Sequence, residues 1–207
     1  MNVAIMSINI YICFTVLFFV MKYYTYDNIN DNNYTWLIYF YVMSFFILII
    51  QNAYYISNLG GTKCSVQPIT LFVGTIVPLT LVMVPIMALI FKLDWNRIFA
   101  NTFGMLITEK IIITPQNGSK YSLFYNDPNV LLQELDFEIL SDIKGLSTKL
   151  TQLIGEEVVI GQELHNKILR QYKTKQNVGY FIWLLLTGIV ASLLSVNTIL
   201  LQDCIIE

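Results

Sequence analysis

At 207 residues with a formal net charge of −2, the chain lacks the basic surface that phosphate binding needs, which excludes nucleic acid as its main partner. Hydrophobic residues make up 56% and charged residues 13%, about half the charged share of soluble domains, so an ordinary soluble globule is excluded too. Most of the chain is committed to apolar stretches, which leaves room for one compact soluble module at most.

Four stretches of roughly 19–24 residues, at 3–21, 36–56, 69–91 and 178–201, contain no Asp, Glu, Lys, Arg or His. Each is long enough to cross a hydrocarbon core of about 30 Å. The sequence therefore predicts an all-α membrane protein. Residues 1–92 form a three-helix transmembrane region, 93–177 a mostly helical extramembrane module, and 178–207 the fourth transmembrane helix with a short tail.

The first stretch lacks a basic n-region and an A-x-A-like cleavage site, so it reads as a retained helix. Cys13 within it reads as a small packed apolar residue. Gly60, Gly61, Lys63 and Cys64 sit in the loop before the third stretch. That stretch carries Pro78 and Pro85, each of which removes a backbone donor and frees a carbonyl that neighbouring helices must cover. Gly74 and the threonines at 70, 75 and 80 are candidates for the task.

From 95 to 113, apolar residues at Ile98, Phe99, Phe103, Leu106, Ile107 and Ile111 follow helical spacing. Both an amphipathic helix in the headgroup region, anchored by Trp95, and a helix packed into the module fit this pattern. Turn residues at 114–118 lead into an extended run at 121–125. Asp127-Pro128 is a helix start, followed by an apolar face at Leu131, Leu132, Leu135, Ile139 and Ile143. Glu134, Asp136, Glu138 and Asp142 read as a solvated acidic face, without the converging ligands of a metal site. Gly145 and Gly155 punctuate the chain before a polar helix over 162–176, which runs straight into the fourth stretch. His165, the single histidine, reads as a surface residue of that helix. In the fourth stretch, Gly188, Ala191, Ser192 and Ser195 form a small-residue seam at i, i+3, i+4 and i+7, where another helix can approach closely. Neutral polar groups such as Asn9, Gln51, Asn52 and Asn197 are too scattered for a channel lining, which favours packing over transport.

Even crossings put the amino terminus, the Lys63 loop and the carboxyl tail on one side. Lys22, Lys92, Arg97, Arg170, Lys173 and Lys175 lie on the other, so the positive-inside rule places the large segment in the cytosol. The sequons at Asn33 and Asn117 would then stay unmodified. Cys64 and Cys204 share the non-cytosolic side, where a disulfide and two independent thiols are both open. No G-x-S-x-G, H-E-x-x-H, phosphate-cradling glycine loop or Cys–His pairing is present, which points to a non-enzyme with no catalytic residues, metal or cofactor.

Two stretches resemble a known family. Trp95-Asn96-Arg97-Ile98-Phe99-Ala100-Asn101-Thr102-Phe103-Gly104 is similar to the W-x-x-P-F-S-N-T-F-G-Y motif of the membrane-spanning minor capsid proteins of nucleocytoplasmic large DNA viruses. Phe181-Ile182-Trp183-Leu184-Leu185-Leu186-Thr187-Gly188, followed by Asn197 and Cys204, resembles that family's terminal helix, F-I-W-Y-L-L-T-G and then an Asn and a Cys. Gly60, Gly61 and Cys64 resemble its Cys-Gly loop, and together the pieces cover about two-thirds of the chain. The family's Pro and Ser are Ile98 and Ala100 here, its Tyr is Met105, and its Gly before the Trp is Asp94, the pattern of a divergent member.

The resemblance implies a structural protein linking a virion's internal, host-derived membrane (the endoplasmic reticulum in such assembly) to the capsid shell. Its implied partners are the lipid bilayer, capsid or other minor capsid proteins, and further copies of itself. Trp95, Phe99, Asn101, Thr102, Phe103 and Gly104 would be the docking element. Asn101 and Thr102 would supply hydrogen bonds, Phe99 and Phe103 apolar anchors, and Gly104 close backbone approach. A viroporin or small transporter is one alternative, to be distinguished by conductance in bilayers. An accessory subunit of an organellar membrane complex is another, to be distinguished by the genes that neighbour this one.

Overall fold

The computed structural model describes residues 3–25, 35–58, 64–65, 67–108, 111–113, 121–123, 137–201 and 205–206. The sequons, Gly60, Gly61, the turn at 114–118, the Asp127-Pro128 helix start and Cys204 lie outside the described residues.

Among the described residues, four helices are long and apolar enough to cross a membrane. They are α1 (Val3–Thr25), α2 (Thr35–Asn58), α3 (Pro68–Lys92) and α8 (Gln162–Leu200). Pro68 stands at the first turn of α3, where its fixed φ suits a helix start and its missing N–H costs nothing. The 39 residues of α8 are unbroken, so the polar helix expected over 162–176 does continue into the fourth apolar stretch. Apart from two short antiparallel strand pairs, the described structure is helical.

The chain divides into two compact units. The first holds α1, α2, α3 and the part of α8 from Phe181 onward. Its interior holds apolar side chains such as Phe40, Leu48, Leu79 and Met83, but its outward faces are apolar as well. Leu17, Ile38, Ile50, Ile69 and Leu81 point outward, each more than 60% exposed, whereas Ser7, Thr15, Ser44, Gln51, Asn52, Thr75, Ser192 and Ser195 are buried. Hydrocarbon makes that distribution favourable, because exposed apolar groups cost nothing there and buried polar groups bond to one another. Aromatic rings fill the space between α1 and α2, with Phe14 stacked on Phe40 at 5.4 Å and Phe18 edge-on to the same ring at 4.9 Å. Strand β1 (Cys64–Ser65) pairs with β4 (Ile205–Ile206), so the backbone of Cys64 lies opposite Ile206.

The second unit spans Asn96–Tyr180. It begins with a short helix α4 (Asn96–Phe99), a π-helical turn (Ala100–Gly104) and α5 (Met105–Ile107). Strands β2 (Ile111–Ile113) and β3 (Tyr121–Leu123) form an antiparallel pair. Helices α6 (Phe137–Ser141) and α7 (Ile143–Ile154) follow, then the start of α8. A core of Leu140, Leu146, Leu150, Ile168, Leu169 and Tyr172 takes in Ile111 and Ile113 from β2.

Three local readings change. The helix expected to run to residue 113 stops at Ile107, and Ile111–Ile113 is a strand that buries its first and third residues. Three consecutive β-branched side chains favour the extended backbone once a partner strand is available. Cys13, expected to be packed, is on the exposed side of α1, whereas Asp142 is exposed as expected and also caps α7, its carboxylate accepting from the backbone N–H groups of Lys144 at 3.2 Å and Gly145 at 3.0 Å. His165 is buried rather than on the surface, and its Nε2 donates to the carbonyl of Leu140 at 2.7 Å.

Candidate functional site

Two constellations concentrate the polar chemistry, one in each unit. In the first unit, adjacent amides on α2 tie the four long helices together. Gln51 Nε2 donates to the hydroxyls of Ser7 on α1 and Ser192 on α8, and those two hydroxyls are themselves 2.7 Å apart. Asn52 Nδ2 donates to Thr75 Oγ1 on α3 at 2.9 Å and to Ser195 Oγ on α8 at 2.8 Å. Hydrogen bonds of this kind contribute about 0.6 kcal/mol each on average in membrane bundles, and more where the alternative is an unsatisfied group in hydrocarbon.

Pro78 explains why Ser195 is needed. A proline at this position removes the donor that would bond the carbonyl four residues earlier, which belongs to Gly74. Ser195 Oγ donates to the Gly74 carbonyl at 3.1 Å and so covers it. Pro78 is buried, but Pro85, expected on nearly the same face and covered by neighbouring helices too, is on the exposed side of α3, so the packing role holds for Pro78 and not for Pro85. The other seam residues, Gly188, Ala191 and Ser192, are buried as well. A methyl group added at Gly188 would fall within the ring of Tyr11, whose hydroxyl bonds Ser44 at 3.1 Å. Ser7 carries no signal in the sequence, Gln51 and Asn52 stand out there only as scattered neutral groups, and Thr75, a candidate for covering a proline-freed carbonyl, bonds the Leu71 carbonyl and Asn52 instead; the available signal is the cost of two adjacent amides in an apolar span.

The second constellation is the 96–104 segment, and the residues just before it close the first unit. Trp95 and Trp183 have ring centroids 5.9 Å apart, and Trp183 Nε1 donates to the Trp95 carbonyl at 3.0 Å. Asp94 just before it has a φ of 51°, left-handed backbone that glycine adopts most readily and that Asp tolerates better than most residues.

Within the second unit, Asn96, Ala100 and Gly104 are buried at four-residue intervals and face α8. Asn96 Nδ2 donates to the Gln176 backbone carbonyl at 3.2 Å and to its side-chain oxygen. A methyl group at Gly104 would lie 2.6 Å from the carbonyl oxygen of Lys175, and one at Gly179 would lie 2.8 Å from that of Asn96. The two backbones are therefore in contact, and only glycines permit it.

Asn101 accepts a hydrogen bond from Lys175 Nζ at 2.8 Å, and Thr102 Oγ1 donates back to the Ile98 carbonyl at 2.8 Å. The polar atoms singled out for docking thus make bonds inside the unit. What faces outward is apolar: Ile98, Phe103, Leu106 and Ile107 are exposed, with Leu106 at 82%. Phe99 is half-buried, its ring 6.0 Å from that of Phe103.

Lys175, outside the 178–201 apolar stretch, is 1% exposed. Burial, followed by the nearby Arg97 guanidinium, pulls its pKa down to about 8. Folding thus lowers this lysine's proton affinity, so the unfolded chain binds more protons between about pH 8 and the ordinary lysine value of about 10.4. Stability should rise with pH across that window and be lowest below it. Chemical unfolding of the full chain in detergent at pH 7.5 and pH 10 should show the rise, and Lys175→Met should lose most of it. An equal pH response in the variant would remove Lys175 as its source.

The chain matches no family model, no characterised protein and no solved structure.

Proposed function

We propose that this chain is a structural, non-enzymatic protein of a membrane-containing virion, holding the internal lipid membrane to the capsid shell through the segment from Trp95 to Ile107. The observation that carries this reading is the two-sided build of that segment. Its small and polar residues, Asn96, Ala100, Asn101 and Gly104, are used to fix it on α8, and Ile98, Phe103, Leu106 and Ile107 are left outward on a rigid base. A rigid helix face with clustered apolar anchors is the form of a protein docking element.

The backbone at Asp94 supports the family resemblance at a position where the motif letters differ. The family writes glycine before the tryptophan, and φ at this place is 51°, where glycine carries no steric penalty. Orientation follows from the lysines and arginines: the second unit faces the cytosol, the side on which a capsid lattice assembles over host-derived membrane.

Purified particles test the assignment. The protein should co-purify with the shell after mild detergent has stripped bulk lipid. A cysteine placed at Lys144, an exposed residue of α7, should react with an impermeant reagent once the plasma membrane alone is opened. Complete release with the lipid, or labelling only after the organelle membrane is also permeabilised, would count against shell attachment and against the orientation, respectively.

A further inference from the structure

We infer that the groove between α3 and the carboxyl-terminal end of α8 holds one acyl chain of a glycerophospholipid. The inference rests on the membrane placement of the four long helices and is independent of shell attachment. The groove has a volume of about 520 Å³, within the range of small-ligand sites. Ile69, Val73, Val77 and Leu81 form one wall and Leu194 and Ile199 the other. The wall residues on α3 recur at four-residue intervals, so the groove runs roughly 18 Å along that helix.

Its chemistry changes along its length. Thr70 and Thr198 are the hydroxyl-bearing residues of the lining, and they lie toward the end where α3 begins; from Val73 to Leu81 the lining is apolar. That is the polarity of an amphiphile with its head near Pro68 and its tail descending into the bilayer. Gln67 gives the first turn of α3 only its backbone carbonyl, to Thr70 and Leu71 N–H, with no side-chain cap, so the positive end of the helix dipole faces the headgroup position.

A second copy's helix fits less well. Close helix approach in membranes needs small residues along the rim; here Thr70 and Thr198 stand only at one end, and Gly74 already has Ile199 Cγ1 3.1 Å from where its Cβ would be. The remaining rim is branched and protruding, with Ile69 65% and Leu81 69% exposed. A thin flexible chain can enter between such side chains; a helix about 10 Å across cannot without displacing them.

The test is photolabelling of the full chain in phosphatidylcholine vesicles containing a small fraction of phosphatidylcholine with a diazirine midway along one acyl chain. Labelled positions are then mapped by mass spectrometry. Label on the 69–81 and 194–199 peptides should exceed label on the equally lipid-facing Leu17 and Met21 of α1 by several-fold. Val77→Trp, which fills the groove, should reduce groove labelling to the α1 level while leaving α1 unchanged. Equal labelling of both faces in the unmodified chain would overturn the site and leave ordinary boundary lipid. Copy-to-copy cross-links through Val77, with dimers that persist on dilution into lipid, would overturn it in favour of a second copy. The contrast within the unmodified chain decides the matter even if the tryptophan variant does not fold.

Discussion

Gly188→Leu should keep the four long helices from closing into a bundle, and even Gly188→Ala should cost about 1–3 kcal/mol, the usual penalty for overpacking a filled core. The reason is local. The position that a Cβ would take at Gly188 lies inside the Tyr11 ring, and that ring is fully buried. Tyr11 is also held in place, since its hydroxyl is 3.1 Å from Ser44 Oγ and its ring sits 5.8 Å from that of Phe14. The ring cannot swing aside without breaking both contacts. Unfolding of purified protein in mixed micelles, followed by circular dichroism, gives the magnitude. Tyr11→Ala should partly rescue Gly188→Ala, because it empties the space the new methyl needs, although it is destabilising on its own. A Gly188→Ala protein as stable as the parent would mean that α1 and α8 do not approach as closely as described.

The second large effect concerns the outward face of the second unit. Phe103→Asp combined with Leu106→Asp should leave insertion and helix content unchanged, because Phe103 is half exposed and Leu106 is 82% exposed. If the segment docks as proposed, attachment to the shell should nevertheless collapse. Burying each of these side chains in an interface is worth about 1.5–3 kcal/mol, so losing two corresponds to a hundredfold or more in affinity before the cost of burying new charges. The visible result would be membrane that no longer follows the shell, as open sheets or misassembled particles. Asn101→Ala acts differently: it removes the oxygen that Lys175 Nζ bonds inside the unit, and so should loosen the base on which the apolar face is mounted. Normal particles from the double Asp variant would reduce the segment to a passive interfacial helix.

Sequence carries the long helices clearly because the signal is an absence: no ionisable residue falls in any of the four stretches. The seam from Gly188 to Ser195 is also readable, since it depends on spacing within one helix. Gln51 and Asn52 are not, because adjacent residues lie about 100° apart on a helix and their partners Ser7, Ser192 and Ser195 are between 44 and 143 residues away. The same difficulty hides the role of Asn101, whose bonding partner Lys175 is 74 residues distant. Ile111–Ile113 fits a helical stripe and a strand equally well; the pairing of Ile111 with Leu123 decides it, and that is a tertiary event. His165 sits among polar neighbours in sequence, yet on α8 it shares a face with Ile168, Leu169 and Tyr172, which draws it into the core.

What Phe103 touches in an assembled particle tests the proposed membrane-to-shell link most directly. A photo-crosslinking amino acid placed at that position, activated in intact virions, should yield a covalent adduct with a protein of the capsid shell, identifiable by mass spectrometry. The same probe at Cys13, on the exposed side of α1, should label lipid alone. Adducts to lipid at both positions, with none to a shell protein from Phe103, would contradict the membrane-to-shell link.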